Sequence, residues 1–462
     1  MNHLDARQAR RRYLLLHGLR WLPTGLVIPI VTLLPLERGL SLSQVGMAVA
    51  TQGFVILAME LPTGGLSDSL GRRPVVLASG VINIGVLALI FTAETFAAFA
   101  IAYGLQGIYR ALDSGPLQAW YVDATLAHDP EADLSRGLSA GGAVLGAAVA
   151  LGALMSGGLI ALDPLPGVEA LAVPVIAALI MQAVAVVAAA VLMSEARPGD
   201  GWAGVRSSIR DVPRVITGSV GLLRRSRVLT ALICVELFWG FGIVAFESLM
   251  PVRLAEVVGS ADDAAAMMGP AASAAWGCSA LGAALVPLLS RRLGVPLTAG
   301  VMRVVHGGTV VAMAVFAGPV GLVTAYFATY VVHGAANPMH MTLLHREVSS
   351  EHRTTVVSLN SMVAQPAGAI GGIVLMALAD VVSTQAAMLL GAVVLAVAAP
   401  LYLPAYRAER YRRAPKTAEP TRTIVDPSST ASSTSELMPI DNTGNSSPTT
   451  SRARSRISRK VR

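Results

Sequence analysis

Residues 64–74 read Gly64-Gly65-Leu66-Ser67-Asp68-Ser69-Leu70-Gly71-Arg72-Arg73-Pro74. Glycines, an acid, two arginines and a proline stand close together between two long apolar runs. The stretch reads as a short turn joining two helices. Gly71 supplies the backbone freedom that a tight turn needs. Pro74 can open the next helix, where its missing N–H costs nothing. Asp68 is placed to accept from helix-terminal N–H groups or from Arg72.

The runs on either side set the class of protein. Of 462 residues, 54% are hydrophobic and only 14% are charged. Soluble domains carry about 25% charged residues, so a soluble enzyme is excluded, as is a disordered or fibrous chain. A membrane-spanning helix needs about 20 mainly apolar residues. Twelve such stretches follow one another, near 14–36, 44–66, 74–92, 95–122, 137–161, 168–193, 228–250, 264–289, 295–317, 319–343, 355–379 and 383–404. None alternates every second residue, as barrel strands would. The fifth is rich in glycine, at 137, 141, 142, 146, 152, 157 and 158, and small residues let helices approach closely in lipid. The first run is too long for a cleaved signal peptide and is followed by further spans. The fold class expected is an all-α polytopic membrane protein with 12 transmembrane helices.

Arginine placement orients the spans, because cytoplasmic loops collect positive charge. With the amino terminus inside, Arg7, Arg10, Arg11, Arg12, Arg72, Arg73 and Arg136 fall on the cytoplasmic side. So do Arg197, Arg206, Arg210, Arg214, Arg224, Arg225, Arg227, Arg291, Arg292, Arg346 and Arg353. The opposite side holds little beyond Arg38 and Arg253. Both termini are therefore expected in the cytoplasm, in a cell inner (plasma) membrane. Residues 1–194 form six spans and 228–405 form six more. The polar segment 195–227 between them is a cytoplasmic loop, with Val212, Val215, Ile216 and Val220 near the spacing of a surface helix. Residues 406–462 are rich in Ser, Thr, Pro and Arg and are expected to be disordered. They hold 12 basic and 5 acidic residues, which accounts for the whole formal charge of +7. The basicity belongs to a tail that is expected to meet anionic lipid, not to a nucleic-acid face.

The turn at 64–74 resembles the signature loop of the major facilitator superfamily, G-x-L-a-D-x-x-G-R-R/K. That resemblance covers roughly 10–405 and implies two six-helix bundles around a central cavity. It also implies a gating charge clamp built from Gly64, Asp68, Gly71, Arg72 and Arg73, together with Asp123 in Trp120-Tyr121-Val122-Asp123 and Arg136 as a further partner. An echo of the loop, Leu289-Ser290-Arg291-Arg292-Leu293-Gly294-Val295-Pro296, lies 223 residues on. Gly294 matches Gly71, while Arg291 stands where the acid would be. Glu351-His352-Arg353-Thr354-Thr355-Val356-Val357-Ser358-Leu359-Asn360-Ser361 and Arg110-Ala111-Leu112-Asp113-Ser114-Gly115 resemble a subgroup of bacterial drug and metabolite exporters. The glycine-rich fifth span lacks the proline of the family's antiporter signature.

Charges inside the bilayer are costly and mark function by default. Arg110 and Asp113, three apart on one helix, can share a face and offset each other. Glu236 and Glu247 lie three turns apart in the seventh span, where a carboxyl can load and release a proton. With Asn337 of the tenth span, these five are the candidates for the coupling or substrate cavity. Glu60, just ahead of the turn, is a gating candidate. His333 and His340 have no acid at helical spacing until Glu347. Arg303 and His306 are read as snorkelling on a peripheral helix, and Arg20 and His17 as facing headgroups. Trp21, Trp239, Phe241, Phe246 and Trp276 are apolar lining candidates.

Cys234 and Cys278 are too sparse for a disulfide framework or a metal site. No GxxxxGK[ST] phosphate loop is present, and nothing suggests an enzyme or a cofactor. The expectation is a secondary transporter acting as a monomer, with protons and a small molecule as its partners. The resemblance implies proton-coupled export of a small hydrophobic or amphiphilic compound. The alternatives are an importer or facilitator of a polar nutrient, or a membrane sensor or scaffold.

Overall fold

The computed structural model describes residues 5–64, 66–194, 201, 204, 206–207, 210, 217–218, 221–348 and 353–413; for 61, 62, 64, 68, 353–355, 412 and 413 it describes the backbone alone. Among the described residues there are twelve long helices and no strand. They are α1 Ala6–Val27, α2 Leu42–Gly64, α3 Arg72–Thr92, α4 Phe96–Asp113, α5 Ser135–Leu162 and α6 Val173–Leu192. The second half has α7 Arg227–Glu247, α8 Ala261–Leu293, α9 Val295–Val315, α10 Pro319–Arg346, α11 Arg353–Val381 and α12 Thr384–Val397. Side chains with an oxygen near Cβ start several of them: Asp5, Thr95, Ser226, Ser260 and Ser383 each accept from a first-turn N–H, filling donors that a helix start leaves unpaired.

Nine spans among the described residues are long and apolar enough to cross a membrane. The long helices outside that set are α1, α4 and α10. Each carries polar groups along its length: His17 and Arg20, Gln106 with Arg110 and Asp113, and His333 with Asn337 and His340. These polar groups lower the apolarity of α1, α4 and α10.

Packing repeats with a shift of six helices. α1 packs on α5 as α7 packs on α11, and α2 on α4 as α8 on α10. α3 packs on α4 and α6 as α9 packs on α10 and α12. The repeat reaches the backbone of the turn that opens each third helix. Gly71 has φ 98° and ψ 152°, and Gly294 has φ 76° and ψ 162°. Only glycine enters that region without strain.

Two seams join the bundles, α2 on α11 and α5 on α8. At the end away from the starts of α1 and α7, one apolar core runs through both bundles, with Leu26, Phe99, Ile160, Phe246, Met268 and Met388 among its members. At the other end each bundle keeps its own core, around Tyr13 and Trp120 in the first and around Leu232 and Leu344 in the second. The bundles are fused at one end and parted at the other.

Arginines also act as caps. Arg12 donates to the Leu192 carbonyl at 2.9 Å and Arg73 to that of Ala190 at 2.7 Å, closing the last turn of α6. At the opposite end Arg38 donates to Glu169 at 2.7 and 2.8 Å and to the Ile90 and Ala93 carbonyls at 2.8 Å each. Removing that clasp frees two carbonyls and an acid. Arg38→Ala is expected to lower stability by about 2 kcal/mol, read as a fall in thermal midpoint in detergent.

One boundary differs from expectation. The chain stays helical over Leu403–Arg413, with Ala405 buried and Tyr402 just ahead of it 2% exposed. This helix packs on α9 and α7, so order extends past 405. The surface-helix residues Val212, Val215, Ile216 and Val220 and the tail from 414 onward lie outside the described residues.

Candidate functional site

α4 breaks at Ser114-Gly115 and resumes as Pro116–Leu126, with Gly115 left-handed at φ 99° and Pro116 opening the second piece. The break leaves backbone carbonyls without their helical partners. Arg20 of α1 meets this need. Its Nη2 donates to the Asp113 carbonyl at 2.9 Å, and its guanidinium pairs with the Asp113 carboxylate. The Asp113 side chain is 6% exposed. This corrects two expectations. Asp113 is paired with Arg20 across helices and not with Arg110 along its own helix, and Arg20 does not face headgroups. His17, one turn before Arg20, is also buried, at 2% exposure.

A cavity of about 310 Å³ lies against this pair. His17, Arg20, Trp21, Gln106, Arg110 and Gln118 contribute to its wall. The Arg20 guanidinium lies over the Trp21 ring, 5.1 Å from its centroid. Arg110 is exposed to this space.

The second bundle has its own buried polar cluster. His340 Nε2 lies 3.1 Å from Glu236 Oε1, with exposures of 1% and 7%. The same nitrogen is 3.3 Å from Asn360 Oδ1, and Nδ1 is 3.0 Å from the Tyr402 hydroxyl. Arg303, 2% exposed, reaches Tyr402. His306 is fully buried, and its ring centroid is 6.0 Å from that of His333. Arg303 and His306 therefore do not snorkel: α9 packs on α10 and α12 and turns both side chains inward. His340 finds its acid on α7, not along α10.

Between α5, α8 and α10 lies a larger space of about 820 Å³. Small and apolar groups dominate it, including Gly142, Gly146 and Trp276, with His333 and Asn337 supplying polar groups. Trp239 stacks on His333 at 5.9 Å, whereas Phe246 is buried in the shared core. Glu247 accepts from the Tyr330 hydroxyl at 3.3 Å. Its side chain is exposed although it sits deep in the bundle, so it faces an interior space. Glu60 accepts from Ser361 across the α2–α11 seam at 3.4 Å.

The turn residues divide into those brought together and those kept apart. Arg72 donates to Ser67 at 2.8 Å and pairs with Asp123 at 3.4 Å. Gly64 ends α2. Asp68 lies in the short helix Leu66–Leu70, and its side chain lies outside the described residues. Arg136 does not join Arg72 and Asp123: it is exposed, 3.9 Å from Asp133. That pair stands three residues apart on the segment leading into α5, which holds Arg136 at the surface.

Comparisons with known proteins place this architecture. The profile of the Major Facilitator Superfamily matches residues 13–332 and 301–438. No curated protein matches the chain in sequence. The solved nucleoside transporter NupG is similar with a TM-score of 0.69 and 14% identity, over 88% of this chain and 99% of that one. A bacterial homolog to the human lysosomal transporter Spinster, in an inward-facing and unoccupied conformation, gives 0.68 and 15% over 87% and 97%. At such identity the likeness is one of fold. The family match, the twelve long helices and the six-helix repeat agree that this chain belongs to the Major Facilitator Superfamily.

Proposed function

We propose that the chain exports a small hydrophobic or amphiphilic compound across the plasma membrane by alternating access, in exchange for protons. One observation carries the coupling: each bundle buries an acid against a basic partner, Arg20–Asp113 in the first and Glu236–His340 in the second. Buried ionisable pairs in a spanning helix are places where proton binding can bias one arrangement over another. The parted end of the molecule carries the starts of α1 and α7 and the pair of Arg72 with Asp123, which supports an inward-facing state with cytoplasmic access. The larger space, lined by small and apolar groups, supports an apolar cargo.

The test is flux in proteoliposomes under an imposed pH gradient, with a panel of amphiphiles. Glu236→Gln keeps a hydrogen-bonding group beside His340 but removes the titratable acid. Downhill movement of a cargo is expected to persist in this variant, while acceleration by the pH gradient is lost. Full gradient-driven transport by Glu236→Gln sinks the coupling assignment. A second reading, import of a polar nutrient, is favoured by the polar wall of the smaller cavity, and NupG is a nucleoside transporter. Uptake that runs only with an inward proton gradient would select it.

A further inference from the structure

We propose that Arg110 is the specificity-determining cation of the smaller cavity, and that the cargo carries a carboxylate on an apolar body. The inference rests on the transport reading above and narrows its substrate to amphiphilic organic anions. Arg20 is committed to Asp113 through both the carboxylate and the freed carbonyl. Arg110, one helical turn before the break in α4, faces the same cavity with its side chain exposed. Among the described residues it has no hydrogen bond and no ion pair. The carboxyls whose field reaches it are Asp113, already paired, and Glu247 of α7, which is held by Tyr330 at 3.3 Å. A guanidinium presents a rigid fork of donors that fits a carboxylate, and such charge-assisted pairs are strong where water is scarce.

The surroundings separate head from body. Around Arg110 the wall is polar, through Gln106, Gln118 and Ser114. Leu145 of α5 lines this cavity, and its neighbour Gly146 lines the apolar space that Trp276 also lines. The two spaces therefore flank the same turn of α5. An anionic head at Arg110 then sits with the apolar body along the turn of α5 that borders both spaces. Glu247 competes from the second bundle for the same guanidinium, so its removal strengthens the attraction for a bound anion.

The experiment is equilibrium binding to the purified full-length protein by scintillation proximity. The probes are tritiated naphthalene-2-carboxylate and its neutral isostere naphthalene-2-carboxamide. The wild type is expected to prefer the carboxylate by about tenfold or more. Arg110→Gln is expected to remove that preference and leave carboxamide affinity unchanged, which also reports a folded cavity. Glu247→Gln is expected to tighten carboxylate binding by roughly threefold. Equal affinity for the two probes in the wild type, no binding of either, or a preference that survives Arg110→Gln overturns the proposal. If Arg110→Gln binds neither probe, Arg110→Lys decides: a restored carboxylate preference supports the assignment, and an absent one overturns it. Proteoliposome flux separates this idea from its foundation. Arg110-dependent binding without proton-driven flux removes the transport reading and keeps the site. Flux indifferent to the carboxylate removes the site and keeps the transport reading.

Discussion

Arg20→Gln is expected to abolish transport and to cost about 3–5 kcal/mol of stability, the usual penalty for leaving one buried charge without its partner. Asp113 would then be a carboxylate with a 6% exposed side chain next to an unsatisfied carbonyl at a helix break. Arg20→Lys is expected to recover only part of the loss. A lysine brings a point charge, whereas the guanidinium serves the carboxylate and the carbonyl at once. In the double variant Arg20→Gln/Asp113→Asn no uncompensated charge remains, so its cost should be well below the sum of the single costs. Thermal midpoints of the four proteins in detergent close the cycle. Additive losses would show that the pair is a coincidence of position. A stable double variant that still fails to transport would place the pair in function as well as in structure.

Gly157→Leu is expected to cut transport by more than tenfold by a different route. Gly157 and Gly269 meet where α5 crosses α8, at the fused end of the bundles. A Cβ built on Gly157 would lie 2.9 Å from Gly269 Cα and 3.1 Å from Pro270 Cδ. Real side chains do not pack that closely, and overfilling a close-packed contact typically costs about 1–3 kcal/mol. The penalty applies only while this end is shut, so the wedge should shift the population toward the opposite-facing state. A bias of about 1.4 kcal/mol is tenfold in that ratio. Spin-label distances between the ends of α5 and α8 should lengthen at this end and shorten at the other. Unchanged distances with normal flux would show that the crossing does not have to close.

The twelve rods were legible because lipid imposes a length and a composition on each span, and the turn at 64–74 could be placed between two of them. The pairing of charges was not. Helical spacing points Asp113 to Arg110, three residues away, yet its partner is Arg20, 93 positions earlier in the chain. Likewise His340 has no acid on its own helix until Glu347, and Glu236 arrives from α7. An intramembrane charge announces that a partner exists, while its identity depends on which helices pack. Arg303 failed for a related reason. Snorkelling assumes a helix with a free flank, and α9 buries that flank against α10 and α12. The helical continuation past 405 was missed because Leu403–Arg413 is strongly basic, yet it packs on α9.

The shared core at one end and the divided cores at the other have a thermal consequence. Opening the fused end must hydrate apolar surface that now runs unbroken from Leu26 to Met388. Hydration of such surface raises heat capacity, and apolar association weakens on cooling. The balance between the two orientations is therefore a function of temperature even with no cargo and no proton gradient. Chilling the membrane should loosen the fused seam first.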